Sequence, residues 1–597
     1  MRPNNFIPSL LSLFILITLS CSEESAEKMT PEEFSSHVSD IIVDGTEFNF
    51  EPALQEFEQD GLYQIDFPSD KKGVYYARTV LEVEGSSDVD YGTYLAVTNQ
   101  AGAIEVQLNG DVVYSNTSNE DGHFDYIDYN LFEFESLIPV QLTDGIHQLA
   151  IKFEPKVGSK NRIRFAFIND ENGLRNSTVS LSSPSDLEEL EHYGYWWIGP
   201  FANSSNDAAL MDPELSANEL IAQELTSAYG QPIRWDLPKL HLVKGLPGWL
   251  TYQNWHYSGG TFLDAMQEVG THFEDLDYSE YISKHTAFIK ENLDDIEQMR
   301  NDYALVESPF GHYFRFSLLD DMGMQTVPYV NSLLNELSED RDKNSFEYEL
   351  ATRVTKHIME DASRLDDGTF ARFTPDTMSV WADDLFMSSI VLLKMYELTA
   401  ENKYLDEVIS QVLSFDQYLI DEPSKLYWHG FFSGSVEHSS TKWGRANGWT
   451  IMAKIEVLQT MPDDHPLRAE VLKTFTRHCE GLLAVQSKDG RWHQVLDDPS
   501  SYLETSATAM FVRGFATGMS EGWLDKATYE EAMERGWASL TRQYDEEGNV
   551  IGIVRGTPIM FSDEEYDNWG TRINDPRGLG ALLYAAIAVD QFRIGEM

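Results

Sequence analysis

The stretch Val380-Trp381-Ala382-Asp383-Asp384-Leu385-Phe386-Met387 sets two adjacent aspartates inside an apolar segment. Apolar residues continue at helical spacing as far as Met395, which predicts a helix whose N-terminal end carries both carboxylates. A carboxylate within an apolar helix face costs free energy unless it has a partner or a purpose. We therefore interpret Asp384 as a solvated charge that complements the helix dipole, and Asp383 as a buried acid at the mouth of a helical barrel.

The acidic excess of the chain argues against nucleic acid as a partner. The 597 residues hold 43 Lys plus Arg against 99 Asp plus Glu, a formal net charge of −56. Too few basic groups remain to neutralise phosphates, and the charge is typical of a protein kept soluble by repulsion. The length predicts more than one domain.

An apolar run that ends at Cys21 predicts a signal peptide over residues 1–21. The run is too short for a membrane-spanning helix, and Arg2 stands near its start. Thr18-Leu19-Ser20-Cys21 resembles a bacterial lipobox, and the acidic residues after Cys21 resemble the export signal of surface lipoproteins. This resemblance implies lipidation of Cys21, an unpaired Cys479, and an outer-membrane lipoprotein that touches the membrane only through its lipid. Attachment at the cell surface and attachment at the periplasmic face of that membrane are both retained as interpretations. Ordinary secretion with an incidental Cys21 is the alternative to lipidation.

The next part of the chain divides into three predicted regions. Residues 22–40 are polar and acidic and are interpreted as a tether. Residues 41–190 alternate apolar and polar positions, and Asn109-Gly110 between two such runs is a strong hairpin signal, so we predict an antiparallel, jelly-roll-like β-sandwich. Sugar binding by this region is left open. Residues 191–230 are interpreted as a linker with an aromatic packing seam.

Residues 231–597 are dominated by helical periodicity. Amphipathic helices open after polar turns near Ser279, Lys403 and Thr528, a recurrence of about 125 residues that corresponds to two helical hairpins. About six hairpins would fit the region. We therefore predict a mainly α protein, an (α/α)6 toroid preceded by a β-sandwich.

Several motifs in this region resemble glycoside hydrolase family 105 and the related family 88, the unsaturated uronyl hydrolases. They stand in the family's order and cover about 340 residues: Trp255–Gly260, Leu319–Gly323, Trp381–Met387, Trp428–Gly430, Trp443–Trp449, Trp492–Ala507 and Asn574–Asp575. The sandwich lies outside the resemblance.

The resemblance implies a chemistry that uses carboxylic acids and no cofactor. The family's substrate is the 4-deoxy uronate with a C4=C5 enol ether that a polysaccharide lyase leaves at a chain end. A protonated acid delivers a proton to C4, water adds at C5, and the hemiketal opens. The resemblance makes Asp383 the proton donor and Asp321 the second aspartate, which faces it and raises its pKa, while Asp320 serves as the helix cap. Scattered histidines give no metal-site spacing.

The anionic substrate needs local donors in an acidic protein. Arg445 is the candidate for the carboxylate, with a salt bridge as the alternative. Trp443 and Trp449 are candidates for stacking on sugar, with plain core as the rival interpretation. His429 is a candidate donor and Tyr257 a candidate pocket wall, although a lone His is more often structural.

One departure from the family concerns substrate choice. Members carry a pocket His shortly before the acid motif, whereas this chain has Arg372 in the stretch Gly368-Thr369-Phe370-Ala371-Arg372. An added arginine would suit a sulfated, ulvan-type oligosaccharide as well as a pectin-type one. Unsaturated glucuronate and galacturonate are not distinguished.

Three functions compete at this point. The first is the unsaturated uronyl hydrolase, which would work with other polysaccharide-degrading enzymes. The second is a polysaccharide lyase on an α/α toroid, and the third is a non-catalytic, surface glycan-binding lipoprotein. The ultraviolet absorbance of the conjugated alkene separates them, because a hydrolase removes it, a lyase creates it and a binder changes nothing.

Overall fold

The structure is a computed structural model whose helices and strands extend over most of the chain. It describes residues 29–54, 58–59, 62–66, 71–83, 93–99, 102–116, 136–155, 162–168, 179–182, 195–213, 215, 219, 222–235, 242–245, 251–303, 309–336, 341–373, 378–560 and 562–595. The predicted signal peptide, Cys21 and the first part of the predicted tether lie outside the described residues. Within them, no helix combines the length and apolar character needed to cross a bilayer.

The helices are α1 (Pro31–Asp44), α2 (Asp207–Leu210), α3 (Tyr257–His272), α4 (Ser279–Tyr303), α5 (Gly311–Arg315), α6 (Leu319–Asn335), α7 (Phe346–Lys356), α8 (Ala382–Thr399), α9 (Asn402–Leu419), α10 (Gly444–Thr460), α11 (Arg468–Ala484), α12 (Thr505–Ser520), α13 (Lys526–Leu540), α14 (Asp563–Asp567) and α15 (Pro576–Gly595).

The strands of the N-terminal part are β1 (Glu51–Leu54), β2 (Glu58–Gln59), β3 (Leu62–Asp66), β4 (Val74–Val83), β5 (Thr93–Asn99), β6 (Gly102–Leu108), β7 (Asp111–Asn116), β8 (Ser136–Val140), β9 (Gly145–Pro155), β10 (Arg162–Ile168), β11 (Val179–Ser182), β12 (Tyr195–Phe201), β13 (Leu225–Thr226), β14 (Pro232–Ile233) and β15 (Leu242–Gly245). Short strands between the later helices are β16 (Ser379–Trp381), β17 (Ile420–Asp421), β18 (Leu426–Tyr427), β19 (Gly430–Phe432), β20 (Glu437–His438), β21 (Trp492–His493), β22 (Leu503–Glu504), β23 (Ile553–Val554) and β24 (Thr571–Arg572).

The N-terminal strands form two main antiparallel sheets. One has the order β2-β3-β10-β5-β8, and the other the order β11-β4-β9-β6-β7 with β12 paired to β4. The predicted hairpin is confirmed: β6 and β7 pair across Asn109 and Gly110, whose φ angles are 52° and 87°. Both angles lie in the left-handed region that Asn and Gly adopt most readily.

A single apolar cluster takes buried side chains from both sheets. Leu95 and Phe165 come from the first sheet, and Leu81 and Phe153 from the second. The antiparallel sheets are confirmed, while the sandwich stays a prediction.

The predicted linker at 191–230 is wrong where it covers β12. Tyr195–Phe201 adds a strand to the second sheet by pairing with β4. Ile198 and Phe201 then pack with Leu210 and Trp235 on the sheet face opposite the shared cluster. Successive side chains of β4 point to opposite faces of the sheet, so the same strand contributes residues to both apolar clusters.

Six helices form a closed inner ring in the C-terminal part. In order of contact around the ring they are α3, α6, α8, α10, α12 and α15, which packs again on α3. Helices α4, α7, α9, α11 and α13 each follow an inner helix and pack outside it. The inner helices approach closely: a Cβ added to Gly323 on α6 would lie 1.7 Å from the carbonyl oxygen of Met387 on α8.

Helix α1 supplies the sixth outer position, because it packs against α15, the last inner helix. Phe34, Val38 and Ile42 are completely buried, and the Phe34 ring lies 4.9 Å from that of Trp537 on α13. The prediction of a tether over 22–40 is therefore wrong from residue 31 onward. The apolar stripe of α1 has helical spacing, but the polar residues between its members made the segment look like a tether in the sequence.

Candidate active site

The candidate site lies at the mouth of the toroid, defined as the end where the six inner helices begin. Hydrogen bonds hold three of these helix starts. Trp255 Nε1, just before α3, donates to the Asp321 carbonyl oxygen in the first turn of α6 at 2.8 Å. The Ala382 N–H at the start of α8 donates at 3.0 Å to the carbonyl oxygen of His429, which lies between β18 and β19. Helix N-termini carry partial positive charge from their unpaired N–H groups. The mouth is thus electrostatically suited to an anion even though the whole chain is acidic.

Asp383 begins α8 and faces a histidine. Its side chain is 16% exposed, and its Oδ2 lies 3.3 Å from Nε2 of His429, which is fully buried. On the other side of the ring, His429 Nδ1 lies 2.6 Å from the Tyr566 hydroxyl, and that hydroxyl oxygen accepts the Met560 N–H at 3.2 Å. Burial lowers the pKa of His429, so a neutral ring that accepts from Tyr566 can donate its Nε2–H toward Asp383.

Asp384 is not the solvated charge that we expected. It is 1% exposed, and Arg372 donates to it twice, from Nε to Oδ2 at 2.9 Å and from Nη2 to Oδ1 at 2.8 Å. Burial raises the pKa of Asp384 to about 6 although Arg372 opposes the shift. Arg372 also lies over the Trp381 ring at 4.3 Å. Arg372, which we had interpreted as a substrate contact, is thus bound to Asp384, the residue next to the candidate acid Asp383.

We expected Asp320 to cap α6, but Asp321 does so. Asp321 is completely buried and caps α6, since its Oδ2 accepts the Leu318 N–H at 2.9 Å. Arg315 pairs with both of its oxygens, and the pKa of Asp321 is lowered by His312, Arg315 and the Leu318 N–H against the opposing effect of burial. Asp320 instead lies 3.4 Å from Arg372 Nη2.

Aromatic residues form the wall beside Asp383. The Trp449 ring stacks on Phe386 at 4.9 Å and meets Tyr257 edge-on at 6.0 Å. The Trp443 ring lies 4.5 Å from His429, and its Nε1 donates to Gln494. Both tryptophans are 1% exposed, so neither presents an open face for stacking. Burial raises the pKa of Tyr257 to about 12, and Asp383 lies close enough to contribute.

Arg445 is buried and holds backbone. Its side chain is completely buried, its Nη1 donates to the Val554 carbonyl at 2.6 Å, and its Nη2 donates to the Arg555 carbonyl at 2.7 Å. The Arg555 guanidinium lies 3.8 Å from the Trp569 ring centre, and its Nε has no hydrogen-bond partner among the described residues. Burial and the nearby Arg572 and Arg577 lower the pKa of Arg555.

Tyr566, Arg315 and Arg555 contact the candidate site residues His429, Asp321 and Arg445, and the sequence did not single them out. None belongs to a motif that the sequence singled out, and each reaches the mouth from a loop or short helix. Glu504 belongs to such a motif but is structural, because its carboxylate caps α12 through Ser506 and Ala507 and accepts the Val554 N–H at 2.9 Å.

Comparison with known proteins assigns the helical part of the chain to a family. The ring of six inner helices with outer helices around it first defines a class, the α/α-barrel proteins. The model of Glycosyl Hydrolase Family 88 matches residues 247–592, so the chain belongs to that family. The family resemblance seen in the sequence is thereby confirmed.

Two curated relatives share this region. An unsaturated 3S-rhamnoglycuronyl hydrolase of Alteromonas sp. (strain LOR) is 29% identical over 213 residues, 34% of this chain and 50% of the relative. The unsaturated rhamnogalacturonyl hydrolase YesR of Bacillus subtilis is 28% identical over 225 residues, 36% of this chain and 63% of the relative. The chain thus spans about half to two thirds of the relatives that it matches. A solved structure of a possible GH105 member from Salmonella enterica, 19% identical, covers 63% of this chain and 91% of its own length with a TM-score of 0.48.

Proposed function

We propose that this chain is a hydrolase that removes a 4,5-unsaturated uronic acid from the non-reducing end of lyase-generated oligosaccharides. Family membership supports the hydrolase class, and both curated relatives are named for unsaturated uronyl substrates. The observation that carries the proposal is the partly exposed Asp383 carboxyl, 3.3 Å from His429 at the mouth of the toroid.

In the proposed reaction Asp383 acts first as acid and then as base. Its proton goes to C4 of the enol ether, which leaves positive charge shared between C5 and the ring oxygen. Water adds at C5 and gives its proton to the Asp383 carboxylate. The resulting hemiketal opens and releases the aglycone. His429 Nε2 and Asp383 Oδ2 lie 3.3 Å apart, and neither has a hydrogen-bond partner among the described residues. We propose that His429 turns its Nε2–H onto the ionised carboxylate during the reaction, and that Tyr566 holds the tautomer that can do so.

The other charged residues of the mouth act on this centre through their partners. Asp321, the second predicted catalytic residue, is completely buried against Arg315, so we assign it a positioning role through Arg315 and His312. Arg372 and Asp384 fix the start of α8 next to Asp383. Neither pair needs to touch the sugar.

Direct substrate contacts are proposed for the less enclosed groups. The half-buried Tyr257 forms the wall of the uronate pocket, the buried Trp449 packs edge-on against Tyr257, and the buried Trp443 supports His429. Arg445 contributes positive charge and shapes the loop that carries Arg555. Arg555, half-buried and without a carboxylate partner among the described residues, is our candidate for the anionic part of the substrate.

Substrate origin and location follow the relatives and the N-terminal motif. We propose an ulvan- or pectin-type oligosaccharide supplied by partner lyases, and an outer-membrane lipoprotein anchored through Cys21 with the β-sandwich as a spacer. Labelled palmitate should enter the parent protein and not a Cys21→Ser variant. Label retained by that variant would contradict the anchor.

The deciding experiment follows alkene absorbance with lyase digests of ulvan, rhamnogalacturonan and glycosaminoglycan. The parent should remove the absorbance from at least one digest. Asp383→Asn should lower kcat at least about 10²-fold, because an amide cannot deliver the proton. The matched control is Asp463→Asn, whose side chain is 98% exposed.

Two results would contradict the proposal. Near-parental turnover by Asp383→Asn would show that another group is the acid. New absorbance from intact polymer would identify a lyase, and unchanged absorbance together with glycan binding would identify a binding protein.

A further inference from the structure

A buried side-chain amide holds the segment of chain that carries His429. Asn447 lies in the first turn of α10 and is completely buried. Its Oδ1 accepts the Tyr427 N–H at 2.8 Å, and its Nδ2 donates to the Tyr427 carbonyl oxygen at 2.9 Å. Tyr427 stands two residues before His429. The amide of Asn447 therefore pairs with this segment as a residue of a neighbouring antiparallel strand would.

The opposite edge of the same segment is paired with β17. Ile420 and Tyr427 face each other in the two short strands, and the Trp428 N–H donates to the Leu419 carbonyl oxygen at 2.9 Å. Backbone groups of successive residues in an extended strand point to opposite edges, so Tyr427 directs its own N–H and C=O away from β17. Asn447 is the partner on that side, and the segment is held from both edges.

The remaining hydrogen bonds of Asn447 reach a second neighbour of His429. Its Nδ2 also donates to the Trp443 carbonyl oxygen at 2.9 Å, and the Trp443 ring lies 4.5 Å from the His429 ring. Its Oδ1 also accepts from Nε2 of the completely buried His478 at 3.0 Å. An amide offers two donor hydrogens and two acceptor lone pairs, so these four bonds fix the orientation of Asn447.

The segment that Asn447 holds places both members of the candidate catalytic pair. The His429 carbonyl oxygen accepts the N–H of Ala382, the residue before Asp383, at 3.0 Å. The His429 ring approaches Asp383 through Nε2 at 3.3 Å. A shift of residues 427–429 would therefore change the distance over which His429 must donate, and small misplacements of reacting groups lower rates strongly.

We infer that Asn447 is a positioning residue for the proposed reaction, since it fixes residues 427–429 so that His429 Nε2 can reach the Asp383 carboxylate. This inference rests on the proposed hydrolase function. The Asn447 side chain is completely buried and does not touch the sugar. Its loss should therefore lower kcat while KM stays close to the parental value.

The test is a double-variant cycle with His429 that follows alkene absorbance on a digest that the parent consumes. Asn447→Ala should lower kcat about tenfold, since a displacement of about 1 Å can cost up to about 10²-fold. In a His429→Ala background the same change should lower kcat by less than about twofold, because the group through which Asn447 acts is gone. Asn447→Asp keeps the side-chain size and both acceptor contacts but loses both donations, and it serves if Asn447→Ala does not fold.

The matched control is Asn331→Ala on another inner helix. Asn331 is a buried amide whose Nδ2 donates to Asp264 at 2.6 Å. It lies about 18 Å along α6 from the start of that helix at the mouth. Its loss should lower the thermal midpoint and leave kcat within about twofold of the parent, which separates a general loss of stability from displacement of His429.

The outcomes separate this inference from the proposed function. If the parent removes the alkene of none of the digests, the hydrolase function fails. If the parent is active, a parental kcat in Asn447→Ala, or an equal fall of kcat in both backgrounds, shows that Asn447 does not act through His429.

A crystal structure of the same variant tests the placement without any substrate. The distance from Asp383 Oδ2 to His429 Nε2 should exceed the parental distance by about 0.5 Å or more, the tolerance usual for catalytic groups. An unchanged distance contradicts the inference whatever the activity of the parent.

Discussion

At the scale of single residues, the pair of aspartates at the start of α8 is divided by burial and by partners. Asp383 keeps a partly exposed carboxyl beside His429, whereas Asp384 is enclosed with Arg372. Adjacent residues at a helix start point in directions about 100° apart, so one can face the mouth while the other faces a neighbouring helix. The prediction that Asp384 is a solvated helix-end charge is wrong, and the role of Asp383 as the acid stays a prediction.

Loss of the Arg372 partner should destabilise the fold. Asp384→Asn leaves a guanidinium that is 7% exposed without its carboxylate, which typically costs about 3–5 kcal/mol. Asp320 at 3.4 Å remains, so we expect the lower end of that range in urea unfolding. Asp361→Asn, whose side chain is 63% exposed, is the control. The double variant Arg372→Met, Asp384→Leu should recover part of the loss, and no recovery would argue against the ion pair as the cause.

At the scale of elements, α1 completes the outer layer of helices, although its polar sequence did not predict a packed helix. The helix begins with Thr30 and Glu33 in a reciprocal capping box, and three buried apolar residues face α15. Because α15 has no following outer helix among the described residues, the N-terminal helix covers the face that would otherwise be exposed. Residues 31–40, which we had interpreted as part of a tether, are thus part of the helical toroid.

Truncation of the α1 core should weaken the whole toroid. Phe34→Ala removes a completely buried ring that contacts Trp537, and such changes cost about 3–5 kcal/mol. The thermal midpoint of the helical transition should fall by several degrees, and Asp40→Ala on the exposed face of α1 should leave it unchanged. Equal thermal midpoints for Phe34→Ala and the parent would show that α1 does not stabilise the toroid and would favour the tether interpretation.

At the scale of the whole molecule, a cluster of one buried and several partly buried charged residues joins the inner helices, away from Asp383. Glu268 on α3 interacts with Lys394 on α8, Glu456 on α10 and Arg513 on α12. Arg513 donates to Glu456 at 2.5 Å. The mechanism proposed above does not use this cluster, which joins several inner helices through one network.

Stability should depend on pH through Glu268. Burial and neighbouring carboxylates raise the pKa of Glu268 from 4.5 to about 8 in the folded chain. Between these values the unfolded chain is ionised and the folded chain holds the proton, so unfolding free energy falls as pH rises through this window. Glu268→Gln removes the ionisable group and therefore this fall in unfolding free energy. At about pH 8 the variant should unfold at a higher temperature than the parent, and at about pH 4 the two unfolding temperatures should be nearly equal. If the unfolding temperatures of the variant and the parent differ by the same amount at pH 4 and pH 8, Glu268 does not cause the pH dependence.

The sequence by itself determined the mainly helical class and the family, and it predicted Asp383 as the acid. Helical periodicity and motif order are local properties, and they survive without knowledge of contacts. The tertiary structure alone decided the partners: Arg372 with Asp384, Arg315 with Asp321, and Tyr566 with His429 across 137 positions of the chain. Burial and pairing depend on which helices meet around the ring, and neither spacing nor composition encodes that arrangement.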